Sequence, residues 1–239
     1  MRKTIYTLII AFIVLSVSSC ASTRRRELFN EAPIALVSVL SNYDINWKGE
    51  EPLESPTSGS ALRRLLGADE DWVIFTRAHH IIDEADEIIR TTLEQSPFIT
   101  FAPKDEVFRS RSYNEAQLNP FIESDNLITP SGYRTIFHRD NNFLSAFARE
   151  TGIGRSLFIT LELTKEMSSG FAKNGNCRAL VAMNLMLKDE RGRTLFNQTF
   201  NTRSWGQTRV TSGAYSQDDF LDLVRSAITE ACMVFLDTL

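Results

Sequence analysis

Apolar residues along this chain change their spacing several times, and each change marks an element. Ile5 to Val17 is a near-continuous apolar run. Pro33 to Leu40 is another, bounded by Asn30 and Asn42, and has the pattern of a strand buried on both faces. Asp44 to Ser60 holds Gly49, Pro52, Pro56 and Gly59 among charges and reads as a long polar loop, a place for a partner contact with Trp47 as its anchor. Ala61 to Leu66 reads as a short helix ended by Gly67. Ile81, Ile82, Ala85, Ile88, Ile89 and Leu93 then recur at helical spacing, with Asp83, Glu84, Asp86, Glu87 and Arg90 on the opposite face. Ser96-Pro97 stops that helix. Phe98 to Phe101 is a short strand closed by Pro103, residues 105–119 are helical in part, and residues 120–132 form an irregular connection.

The second half is more regular. Asp140 is placed to cap a helix carrying Phe143, Leu144, Phe147 and Ala148, with Gly152 at its end. Leu157, Ile159, Leu161 and Leu163 alternate as one face of a strand, and a polar loop follows from Ser168 to Asn176. Arg178 to Lys188 is apolar on both faces and therefore central, and Asp189 to Gly192 turns into a third strand, Thr194 to Thr202. Residues 206–215 are polar. Ser216 and Asp219 form a capping box for a final helix whose stripe is Phe220, Leu223, Val224, Ala227, Ile228, Ala231 and Phe235. The whole order predicts a single α+β domain. Its mixed sheet has about five strands, with an antiparallel C-terminal meander packed by helices that include a long C-terminal one.

The first apolar run has a different meaning. Arg2 and Lys3 precede it, and at about 13 residues it is too short to span a bilayer, which takes roughly 20. It ends in Val17-Ser18-Ser19-Cys20-Ala21, small residues leading to a cysteine, which resembles the lipobox of bacterial lipoproteins. That resemblance implies a signal peptide over residues 1–19, cleaved before Cys20, which carries covalent lipid. Residues 20–31 are then the lipidated cysteine and a short tether, and residues 32–239 a periplasmic domain. Ala21 resembles the choice that sorts such proteins to the outer membrane. The tether reaches at most roughly 35 to 40 Å, and Arg24, Arg25 and Arg26 suit a headgroup surface.

Without Arg2 and Lys3, 24 basic residues face 30 acidic ones, a net charge of −6. That balance is unsuited to nucleic acid, whose binding is driven by phosphate neutralisation. Sixteen Phe against three Trp predict a phenylalanine-packed core.

Candidate chemistry is sparse. His79 and His80 each have an acid four residues on, Asp83 and Glu84, a spacing that can pair metal ligands on one helix face. A site needs a further ligand, His138 is the only other histidine, and surface ion pairs explain the pattern as well. Gly152-Ile153-Gly154 lacks the third glycine of a phosphate loop, and no nucleophile elbow or serine–lysine motif occurs. Cys177 and Cys232 are either a disulfide, as an oxidising compartment allows, or two separately buried thiols. Trp47, Trp205 and Tyr215 lie in polar sequence, as binding anchors or as lids over the core.

The domain also resembles the periplasmic lipoprotein group of the curli-secretion channel subunit and the penicillin-binding-protein activators. The resemblance rests on the strand Ile34–Leu40, the helix-to-strand stretch Ile88–Phe101, the segment Phe147–Ile153 before Leu157–Leu163, the turn Lys188–Gly192 and the closing helix. The tether is shorter than the activators use, and no pair of alternating segments of about ten residues is present to form a membrane hairpin. The expectation is a non-enzymatic module in an envelope assembly or secretion complex, held at the outer membrane by the lipid on Cys20. It would have an envelope protein as partner, no cofactor and no nucleic acid. The alternatives are a small-ligand or lipid carrier and a subunit of a curli-type channel oligomer.

Overall fold

The computed structural model describes residues 25–30, 32–49, 72–119 and 126–239. The predicted signal peptide, Cys20, most of the 44–60 loop, the helix at residues 61–66 and residues 120–125 lie outside the described residues.

The strands are β1 (Ala35–Asn42), β2 (Asp44–Trp47), β3 (Trp72–Val73), β4 (Thr76–Arg77), β5 (Leu127–Ile128), β6 (Arg155–Phe171), β7 (Asn174–Asp189), β8 (Thr194–Arg203), β9 (Thr208–Val210) and β10 (Tyr215–Ser216). The helices are α1 (Ile82–Leu93), α2 (Lys104–Arg109), α3 (Arg111–Glu115), α4 (Asn141–Thr151) and α5 (Gln217–Leu236), with a 3₁₀ turn at Ala78–His80 before α1. Eight strands form one mixed sheet centred on β6. β1 and β2 run parallel to β6 along one side, and β5 and β4 flank them. β7 runs antiparallel on the other side, followed by β8 and β9. Because β1 and β2 are consecutive along one edge, the sheet is five ranks wide, which agrees with the α+β, roughly five-stranded expectation.

The longest feature is the β6–β7 hairpin. Its two-residue turn places Ala172 and Lys173 at positive φ (49° and 57°), the geometry that matches the twist of the strands. Below the turn Gly170 and Gly175 face each other, and a Cβ on Gly170 would lie 1.9 Å from the Asn174 carbonyl oxygen. The expected loop at Ser168–Asn176 is therefore ladder almost throughout. The expectation that no long alternating pair exists is corrected too: β6 and β7 have 17 and 16 residues.

Alternation divides that hairpin between two environments. Leu157, Ile159, Leu161 and Leu163 of β6 and Val181, Met183, Leu185 and Leu187 of β7 face α1 and α5, and none is more than 1% exposed. The α5 stripe named from sequence is buried as expected. At its C-terminal end Phe235 packs edge-on against Phe29, Phe196 and Phe200, with ring centroids 5.2 to 5.7 Å apart. Aromatic edges on faces add to the area they bury.

Phe29 belongs to the expected tether, which is corrected at its distal end. Residues 25–30 are helical, Phe29 is 1% exposed, and Arg25 and Arg26 donate to the carbonyls of Thr238 and Leu239. The folded unit thus begins by Arg25.

On the other face, α2, α3 and α4 cover only the β1 end. Tyr113, Phe143 and Phe147 pack there on Ala35, Val37 and Phe158. A register shift between Leu36 and Ser38 lets β1 serve both cores. Asp140 caps α4 by accepting from the Phe143 N–H at 3.0 Å, and Gly152 ends it at φ 76°. Two further expectations change. Phe98–Phe101 forms only a single parallel bridge, Phe101 with Ile34. Asp86, assigned to the outer face of α1, is 2% exposed because α2 and the 129–133 segment pack over it. It accepts from the Tyr133 hydroxyl (2.7 Å) and from Arg90 (3.2 Å), and it also pairs with Lys104.

Candidate functional site

Beyond Phe158 and Met186, which lie under α3 and α4, the alternate residues of β6, β7 and β8 carry no helix among the described residues. Cross-strand pairing arranges them in rows: Thr160–Asn184–Thr199, Glu162–Ala182–Asn201 and Thr164–Leu180–Arg203. The Asn184 amide donates to Asn197 Oδ1 (2.9 Å) and Thr199 Oγ1 (3.0 Å), which holds the first row flat. Glu166 joins Arg203 (3.2 Å) to Lys48 (3.9 Å) across the strands. An open groove of about 750 Å³ lies over Glu162, Thr164, Leu180, Ala182 and Asn201 and reaches Glu230 and Val234 of α5. Its rim is Trp205, whose ring is 83% exposed while its Nε1–H donates to Glu230 Oε2 on α5 at 2.8 Å. The ring is thus held in place and presented to solvent, as an anchor residue requires.

Of the three aromatic residues named from sequence, only Trp205 is exposed. Trp47 and Tyr215 are 9% and 0% exposed, so for them the reading as lids over the core holds and the reading as surface anchors is corrected. Asp44–Trp47 is a strand rather than the start of a loop, and its alternation turns Ile45 and Trp47 inward. Both aromatic rings enclose a group that sequence reading missed, the ammonium of Lys165. It is 1% exposed, donates to the Ile45 carbonyl and the Tyr215 hydroxyl at 2.8 Å each, and lies 4.9 Å from the Tyr215 ring centre and 5.4 Å from that of Trp47. Cation–π attraction and two hydrogen bonds offset its desolvation. Burial pushes the Tyr215 hydroxyl well above its ordinary pKa, so it stays protonated and bonds Thr76 Oγ1 at 3.0 Å. Extending the Leu157–Leu163 alternation by one step would have flagged Lys165.

A smaller open cavity of about 270 Å³ lies beside the α4 side of the sheet, among Ser38, His138, Phe158, Thr160, Asn184 and Met186. The Ser38 hydroxyl there is buried and has no hydrogen-bond partner among the described residues. Burial, reinforced by Lys188 and Arg139, lowers the His138 pKa and favours its neutral ring.

The proposed metal ligands are not brought together. The helix starts only at Ile82, so His79 and His80 sit in the preceding 3₁₀ turn and do not share the face of Asp83 and Glu84. Asp83 accepts from Ser131, and Glu84 accepts from Arg225 at 2.6 and 3.0 Å. Among the described residues no group of three or more His, Cys, Asp or Glu is placed to hold a metal. The disulfide alternative is corrected as well. Cys177 and Cys232 are separate buried thiols, and burial raises their pKa values to about 11 and about 12. Cys232 on α5 contacts the sulfur of Met183. Met183 lies six residues along β7 from Cys177, about 20 Å, whereas a disulfide needs Cα atoms within roughly 7 Å.

No family model and no curated protein matches the chain. Among solved structures it is similar to the LpoB C-terminal domain from Salmonella enterica, at 10% identity and TM-score 0.33, over 76% of this chain and 91% of that one. It is also similar to the hypothetical protein CT253 from Chlamydia trachomatis, at 11% identity and TM-score 0.35, over 86% and 94%. Likenesses of this size carry no argument about what the chain does.

Proposed function

We propose that this chain is a lipid-anchored envelope lipoprotein whose domain is a non-enzymatic protein-interaction module. Its docking surface is the helix-free face of β6–β8 with Trp205 at the rim. One observation carries the reading: an ordered, polar, hydrogen-bonded sheet face beside an aromatic ring that is fixed by Glu230 yet 83% exposed. The groove is open to solvent and its floor is a sheet face of polar side chains, which suits a polypeptide surface. The helix–sheet interface is filled by side chains such as Leu163, Met183 and Ile228, each 0% exposed, which speaks against a hollow lipid carrier. The channel alternative loses its spanning element to the core, because one face of the β6–β7 hairpin is committed to α1 and α5. The buried Ser38 hydroxyl in the 270 Å³ cavity supports a second reading, a small-ligand site on the same domain.

The test is cross-linking in intact envelopes followed by purification of the chain. A specific partner recovered with the unaltered protein and lost with Trp205→Ala supports the module; the same recovery from both discards this surface. The anchor is tested separately. Cys20→Ser releases the protein from membranes and removes the acyl mass, and a variant still membrane-bound at unchanged mass refutes the lipid.

A further inference from the structure

We propose that one end of the domain, rich in arginine, lies on anionic lipid headgroups, with the β6–β7 hairpin tip directed away from the bilayer; this rests on the Cys20 anchor argued above. The geometry begins with the docked N-terminal segment. Arg26 donates to the Leu239 carbonyl at the C-terminal end of α5, and Arg155 at the start of β6 donates to the Leu28 carbonyl. Arg155 pairs with Asp189, so the 189–193 turn, with Arg191 and Arg193, stands at the same end. Arg139 joins it because the start of α4 lies on that turn: the Asn141 side chain stands against Gly192, and Ser145 donates to the Glu190 carbonyl. Six arginines (25, 26, 139, 155, 191 and 193) therefore gather here, with Glu27, Glu190 and Asp237 among the exposed carboxylates beside them, on a chain of net charge −6 once Arg2 and Lys3 are removed. Asp189 is already held by Arg193. Guanidinium groups bind phosphate oxygens through paired hydrogen bonds, which makes this end complementary to phospholipid headgroups.

Reach places this end near the surface, and its arginines supply the contact that orients it. Arg25 stands five positions after Cys20, at most about 18 Å of chain. β6 runs from Arg155 at this end to Phe171 beside the hairpin turn, about 50 Å at strand rise. A lipid on Cys20 keeps the arginine-rich end near the surface, and with that end as the contact face β6 carries Phe171, 86% exposed, away from the bilayer. The long hairpin and the open sheet face beside it are then held out toward the compartment.

The experiment uses the full acylated chain in vesicles of phosphatidylcholine, with or without phosphatidylglycerol, carrying a fluorescent label on Thr194→Cys or on Phe171→Cys; the native Cys177 and Cys232 are buried and unlabelled under folding conditions. Nitroxide-headgroup lipid quenches by proximity. The expected result is strong quenching at 194 and none at 171. Quenching at 194 rises with phosphatidylglycerol, falls at 1 M salt, and loses its dependence on phosphatidylglycerol in the triple variant Arg26→Gln, Arg191→Gln, Arg193→Gln. Equal quenching at both positions, stronger quenching at 171, or no response to phosphatidylglycerol overturns the proposal. Mass spectrometry of the same sample separates the two ideas. A chain without acyl mass on Cys20 counts against the anchor, whereas an acylated chain with label 194 unquenched counts against the docked end.

Discussion

The two faces of β6–β7–β8 share a backbone and differ in everything else. On the α5 side the side chains are Leu, Ile, Val and Met with almost no exposure. On the other side the same strands present Thr160, Glu162, Thr199, Asn201 and Arg203 to solvent. Period-2 alternation makes the sheet both a structural wall and an available surface. The difference teaches where to look for stability and, on the proposed function, where for recognition: mutations on the first face should unfold the domain, and mutations on the second should leave it folded.

The largest effect should come from the covered face. Phe235→Ala removes the ring that three other phenylalanines pack against and should cost about 3 to 5 kcal/mol in urea unfolding. Thr199→Ala on the open face should change stability by about 0.5 kcal/mol or less. Comparable losses from both would erase the distinction between the faces.

Next in size is the buried carboxylate that joins α1 to the loops. Asp86→Asn leaves Arg90, Lys104 and the Tyr133 hydroxyl without the charge they converge on, and should cost about 2 to 3 kcal/mol. A neutral result would mean that the second layer of helices is held by apolar packing alone.

The smallest predicted effect is on pH dependence. Burial, with help from Lys188 and Arg139, lowers the His138 pKa, so the unfolded chain takes up that proton first. Its contribution is complete above about pH 7 and is lost as the pH falls through the ordinary histidine range. Asp189 acts in the same direction at lower pH. Burial alone would raise its carboxyl pKa, but hydrogen bonds from the Arg193 side chain and from the Arg193 and Arg191 amides hold it below its ordinary value. Its stabilisation is present above the normal carboxylate range and lost below it. The thermal midpoint should therefore rise with pH in two steps, with His138→Asn flattening the upper and Asp189→Asn the lower. A midpoint that falls between pH 4 and 7 would contradict both assignments.

Much of the covered face was legible in the sequence, because alternation and helical spacing report burial directly. The α5 stripe, the Asp140 cap and the Leu157–Leu163 strand could be read residue by residue. What could not be read depends on partners distant in the chain. Asp86 has the spacing of a solvent-facing residue and becomes buried only because α2 and the 129–133 segment cover it. Tyr215 and Trp47 sit in polar sequence, yet they close around Lys165, 50 and 118 positions from it, which local pattern does not reveal. The open face was illegible for a related reason: Thr, Asn and Ala on alternate positions of a strand look the same whether a helix covers them or not. Trp205 is exposed, as its reading as an anchor requires, and its orientation came only with Glu230 on α5.

The central claim, that the open face is the recognition surface, is tested most directly by site-specific photo-cross-linking in intact envelopes. A benzophenone side chain is placed at Thr199 or Trp205 on the open side, or at Glu87 on the exposed surface of α1. The account predicts a discrete protein adduct from 199 and 205 and none from 87. An adduct from 87 with none from 199 or 205 would place recognition on the helical layer and contradict it.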